Sequence, residues 1–240
     1  MINIAHKKQS TSSKDFLQTS ITKDNIQGFD LDVLMTKDKK IIYFTLVEPT
    51  IPDISQIQSD NYKELKEGQF LTLEDALDII NKKNEKQKIT INIISVYNLT
   101  EFNLQEINER NNDLVKNILN IISSYKNLDF YLYSGDIRIV SLLKQNNINN
   151  KIGMKVSEEN LNFQDVDFYV IRPTMLNEGI IGMLQKKGKD IMINITESND
   201  FVTALSIISE NTFPLKRGKY KDIFIISRYP EIINKMINTN

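Results

Sequence analysis

The sequence predicts an α/β fold, one (β/α)8 TIM barrel over residues 1–240, and three observations lead there. Short β-branched runs alternate with helical patterns along the whole chain, the runs number eight, and 240 residues suit such a barrel. The runs fall at 2–5, 29–34, 89–95, 130–134, 151–156, 166–171, 191–195 and 223–227. Strands interleaved with helices imply parallel β-α units with right-handed crossovers, and this many units favour closure over an open sheet. A doubly wound sheet would call for a Gly-rich phosphate loop after a strand, and no candidate strand is followed by one.

Taken in order, the first run is Ile-Asn-Ile-Ala, followed by the chain's one histidine, His6. The second alternates strictly, so Asp30 and Asp32 share one face while Phe29, Leu31 and Val33 share the other. A short extended run follows, then a polar segment, 45–67, that carries Pro49 and Pro52. A connection that long is functional or mobile in most compact domains, and a plain surface loop is the alternative reading. Helical spacing returns at 73–81 and is clearest in Leu114, Val115, Ile118, Leu119, Ile121 and Ile122, which paint one face. Further helical patterns occupy 139–145, 175–185, 201–208 and 230–237, the last opened by Pro230 in a first-turn position.

Composition narrows the function. With 30 basic and 31 acidic side chains, nothing points to capture of nucleic acid or of an anionic membrane. With no cysteine, disulfides and thiolate metal sites are excluded, so any metal must bind through oxygen or His6. No stretch approaches the roughly 20 apolar residues of a membrane span, and the first strand begins just after Met1, so the expectation is a soluble cytoplasmic protein. Neither an internal repeat nor a Gly/Ser/Pro linker divides the chain.

The order of motifs resembles the glycerophosphodiester phosphodiesterase family. Ile4-Ala5-His6-Lys7-Lys8 stands where the family reads I-A-H-R-G, Gly28-Phe29-Asp30-Leu31-Asp32-Val33 where it reads G-I-E-L-D-V, and Thr36-Lys37-Asp38 where it reads T-K-D-G. Phe70-Leu71-Thr72-Leu73-Glu74-Asp75-Ala76-Leu77 is similar to I-P-T-L-E-E-V-L, Ile193-Asn194-Ile195-Thr196 takes the place of W-T-V-N, and Asp222 to Pro230 is similar to D-G-I-I-T-D-x-P. The resemblance implies a barrel with its site at the C-terminal ends of the strands, and it implies an insertion at 45–67 overhanging the mouth. It also implies a divalent cation held by three acidic side chains, with an acid–base pair of histidines and an arginine on the phosphate. Such parts neutralise phosphoryl oxygens, generate a nucleophile, protonate the departing alkoxide and grip the phosphate.

This chain departs from the family at those positions. Asp30 and Asp32 keep two carboxylates, but the third position falls on Asn92, a neutral oxygen donor, so Mg2+ or Ca2+ is expected to bind weakly if at all. Lys7 replaces the arginine, keeping charge and losing bidentate geometry. Lys8 replaces the glycine. Thr45 falls where the second histidine belongs, and threonine shuttles no proton near neutral pH. Asp15 stands near the place of a family Glu, with a helix-capping role for Ser13 or Asp15 as the alternative. Ile193 replaces a tryptophan, which reshapes the mouth if that position lines it.

The leading expectation is therefore a non-catalytic or strongly impaired relative that holds a small phosphate-bearing ligand near His6, Lys7, Asp30 and Asp32. Two alternatives stay open. One is a slow metal-dependent phosphodiesterase acting on glycerophosphodiesters of lipid metabolism, with His6 as base and Lys7, Tyr43 or Tyr133 as acid; the other is a barrel kept as a protein-interaction module. Arg172 is an anion-binding candidate, with a surface ion pair as its alternative.

Overall fold

A computed structural model describes residues 2–7, 12–44, 51–65, 70–83, 85–96, 102–146, 149–156, 165–176, 178–196 and 223–238. Thr45, Lys8 and the expected helix at 201–208 lie outside them. The strands are β1 (Ile2–His6), β2 (Gly28–Met35), β3 (Ile41–Phe44), β4 (Leu71–Thr72), β5 (Gln87–Ile93), β6 (Leu128–Ser134), β7 (Lys151–Lys155), β8 (Phe168–Ile171), β9 (Asp190–Ile195) and β10 (Ile223–Ser227). The helices are α1 (Ser13–Ser20), α2 (Ile51–Ser59), α3 (Leu73–Ile80), α4 (Leu104–Ile122), α5 (Ile137–Asn146), α6 (Glu178–Lys186) and α7 (Pro230–Asn238).

Eight strands pair in the order β1-β10-β9-β8-β7-β6-β5-β2, all parallel, and β1 pairs with β2 to close the barrel. All eight runs expected from the sequence are these strands. The period-2 alternation sorts their side chains into two cores. Ile4, Tyr131, Tyr133, Phe168, Val170, Met192, Phe224 and Ile226 fill the barrel interior. Phe29, Leu31, Val33, Ile89, Ile91, Ile93, Met154, Tyr169 and their neighbours face outward under the helices. Helix α4 lays Leu114, Val115, Ile118 and Ile122 into that outer layer, each such burial contributing about 1.5–3 kcal/mol. Its N-cap Asn103 and Glu106 form a reciprocal capping box.

Three local features depart from expectation. First, β2 continues through a turn into β3, which runs antiparallel to it, and β4 pairs with β3. Second, the segment expected to be a loop contains α2, whose Ile54 and Ile57 pack against Leu34, Ile42 and Phe44. Its apolar residues are too few and too far apart to outvote the surrounding polar ones in a sequence reading. Third, α1 is capped by Ser12, not by Ser13 or Asp15: the Ser12 hydroxyl accepts from the Asp15 backbone N–H at 3.1 Å and donates to the Asp15 carboxylate at 2.7 Å. No helix among the described residues is long and apolar enough to cross a membrane.

Candidate functional site

Six polar residues of the interior, His6, Asp30, Asp32, Thr90, Asn92 and Tyr133, collect on one arc of the barrel, on β1, β2, β5 and β6. Register places His6 beside Asp30, Asp30 beside Thr90, Asp32 beside Asn92, and Asn92 beside Tyr133. Every one of these residues sits on the inward side of its strand, and the apolar interior residues form the floor beneath them.

Asp30 is buried and fully engaged. Its Oδ2 accepts from His6 Nδ1 at 2.9 Å, and its Oδ1 accepts from Thr90 Oγ1 at 2.5 Å and from the Tyr133 hydroxyl at 3.0 Å. Donors on three other strands thus satisfy both oxygens of this buried side chain. Asp32 lies nearer the mouth, its side chain 21% exposed. Its Oδ1 accepts from Asn92 Nδ2 at 2.8 Å, while Oδ2 lies 3.7 Å from His6 Nε2, beyond hydrogen-bond length. Burial raises the Asp32 pKa above the usual carboxylate value and the neighbouring Asp30 adds to the rise; His6, Asn92 and Lys155 oppose it without cancelling it. Burial, with Asp30 and Asp32 close by, pushes the Tyr133 phenol well above its ordinary value. Burial alone lowers the pKa of Lys7.

The structure thus gathers His6, Asp30, Asp32 and Asn92, with Lys7 immediately after β1 and buried. Tyr133, weighed as a proton donor to substrate, aims its hydroxyl at Asp30 instead, and its raised pKa opposes release of the proton. Tyr43 faces the outer core and cannot serve the mouth. Ile193 is also in the outer layer, so its replacement of a tryptophan does not reshape the mouth; the inward residues of β9 are Met192 and Asn194. Arg172 precedes the single 3-10 turn Pro173–Met175. Sequence reasoning missed Thr90 and Lys155. Each was legible from parity, since Thr90 is two residues from Asn92, and Lys155 is two residues from Gly153 on the inner face of β7.

A divalent cation fits this donor set poorly. Both Asp30 oxygens are taken, Asn92 is a neutral amide, and at this cluster the described residues leave only Asp32 Oδ2 and the buried, unpartnered Asn92 Oδ1 to bind an ion. One carboxylate oxygen and one neutral oxygen fall short of the six to eight ligands Ca2+ takes or the octahedron Mg2+ demands. Among the described residues no group of three His, Cys, Asp or Glu side chains is arranged to hold a metal.

No family model matches the chain, and no curated protein matches it. Solved structures do. A phosphodiesterase from Oleispira antarctica, solved with the product sn-glycerol-3-phosphate, superposes with a TM-score of 0.70 at 14% identity, over 99% of this chain and 97% of that one. Glycerophosphodiester phosphodiesterases from Parabacteroides distasonis (TM-score 0.66, 15% identity, 99% and 97% covered) and Thermotoga maritima (0.64, 17%, 98% and 98%) superpose similarly. The chain therefore has the (β/α)8 fold of these enzymes over nearly its whole length. At such identities the likeness speaks for fold, and the residues of the mouth must carry the rest.

Proposed function

We propose that this chain is a degenerate relative of the glycerophosphodiester phosphodiesterases that binds a small phosphate-bearing molecule at the barrel mouth and does not hydrolyse phosphodiesters at an enzyme's rate. The motifs that resemble the family, the matching fold and the product held by the Oleispira antarctica enzyme support the family and ligand class. The lock on His6 carries the rest of the reading. Its Nδ1 is committed to Asp30, its Nε2 faces Asp32, and no second histidine exists in the chain to complete an acid–base pair. Metal does not rescue the chemistry in this reading, because Mg2+ or Ca2+ finds only weak ligands, Asp32 and Asn92, so no step is routed through one.

Thermal denaturation with sn-glycerol 3-phosphate tests the ligand half of this proposal. Binding to the native state alone raises the midpoint, by about 2.7 kcal/mol of stability at a hundredfold excess over Kd. A concentration-dependent rise is expected, and it should shrink when Lys7→Met removes the ammonium beside His6. No rise at millimolar ligand would leave the barrel without its proposed ligand.

A further inference from the structure

We propose that Lys155 supplies at the barrel mouth the positive charge that a divalent cation would otherwise bring, so that the site takes the phosphate of a glycerol phosphate ester without metal. The inference rests on the ligand class proposed above and adds the residue that recognises it. Strand β7 alternates: Ile152 and Met154 lie in the outer core, while Gly153 faces inward so closely that a Cβ there would stand 2.2 Å from the Phe168 ring. Lys155 follows Gly153 on the same inner side, at the C-terminal end of the strand, beside the interior residue Val170. It is half-buried, and its ammonium is close enough to favour the ionised form of Asp32.

Among the described residues no carboxylate forms a salt bridge with Lys155. One ammonium group therefore reaches the mouth from β7 with Asp32 near it but no salt-bridge partner, and the phosphate of a ligand is the natural third party. The unpartnered Asn92 Oδ1, which is buried against Asp32, asks for a donor rather than for more negative charge. A glycerol hydroxyl is such a donor. The same ammonium group repels a divalent ion, so the poor donor set and Lys155 act in one direction.

Calorimetric titration of the full chain with sn-glycerol 3-phosphate, in EDTA and in Mg2+, tests this. The expected result is a Kd in EDTA within about twofold of that in Mg2+, weakened at least tenfold, or about 1.4 kcal/mol, by Lys155→Met and partly restored in Lys155→Arg. Thermal melts of both variants establish that they are folded, and Lys155→Gln replaces Lys155→Met if the latter is not. Binding that EDTA abolishes, or that neither neutral variant weakens, overturns the role of Lys155 while leaving the ligand class standing. Absence of binding by the unaltered chain in both buffers overturns the ligand class itself, and this inference with it.

Discussion

Tyr133 donates its hydroxyl proton to Asp30 from the side of the carboxylate opposite His6, with the two contacts at 3.0 and 2.9 Å. Three strands thus converge on one buried acid: β1 through His6, β5 through Thr90 and β6 through Tyr133. A carboxylate so satisfied is a structural anchor, and it fixes the orientation of the imidazole it holds.

Removing that hydroxyl tests the anchor. Tyr133→Phe leaves Asp30 Oδ1 with Thr90 alone, and should cost about 1–3 kcal/mol because the acceptor is buried and loses one of its two donors. Chemical denaturation would measure it, and a loss below about 0.5 kcal/mol would mean water replaces the phenol.

Gly153 is required by the Phe168 ring. The Cβ of Gly153→Ala would stand 2.2 Å from Cε2, and that ring is fully buried and packed edge-on against Tyr131 and Tyr133. The expected loss is about 1–3 kcal/mol, a fall in Tm of roughly 2–4 °C per kcal/mol for a chain of this size. An unchanged Tm would show that the interior floor yields.

Lys39 takes φ 62° in the turn between β2 and β3, at the position where the family pattern T-K-D-G has glycine. A side chain in the left-handed region costs of order 1 kcal/mol. Lys39→Gly relieves it and gives up only an exposed ion pair with Asp113, so equilibrium unfolding should show a small gain in stability. A clear loss would reveal that the pair matters more than the backbone.

Asp136 gives a pH signature. Burial disfavours its charge, yet the Arg138 guanidinium at 2.6 Å and the Arg138 backbone N–H at 2.8 Å more than offset this, holding its carboxyl below the usual range. A depressed folded pKa stabilises fully above the unfolded value near 3.9 and loses that contribution as pH falls below it. Asp136→Asn keeps a helix-capping side chain and removes the charge. It should be less stable than the unaltered chain at pH 7, by up to about 1 kcal/mol given the partly exposed Arg138, with the difference closing toward pH 2. A difference that persists or grows in acid contradicts the assignment.

The barrel was legible because eight short β-branched runs alternate with helical patterns in the sequence, and the spacing of Asp30 and Asp32 alone put both on one face. What stayed hidden depended on partners distant in sequence. Strand β4 is too short to alternate persuasively, and α2 is made by the apolar patch of Leu34, Ile42 and Phe44 rather than by its own pattern. At the site, His6, Asp30, Asp32 and Asn92 were reached through motif order, whereas Thr90 and Lys155, though on the inward parity of β5 and β7, stand in no motif that singles them out. The inward aim of Tyr133 could not be told from ordinary packing, since a tyrosine on a strand satisfies its hydroxyl in many ways.

Under the proposed function the mouth retains a ligand and has lost the chemistry. Incubating the purified chain with glycerophosphocholine and Mg2+ or Ca2+, and following release of choline and glycerol phosphate, tests it most directly. The account predicts no release above the rate seen with His6→Ala. Cation-stimulated release at an enzyme's rate, about 1 per second or faster, that disappears in His6→Ala would contradict it.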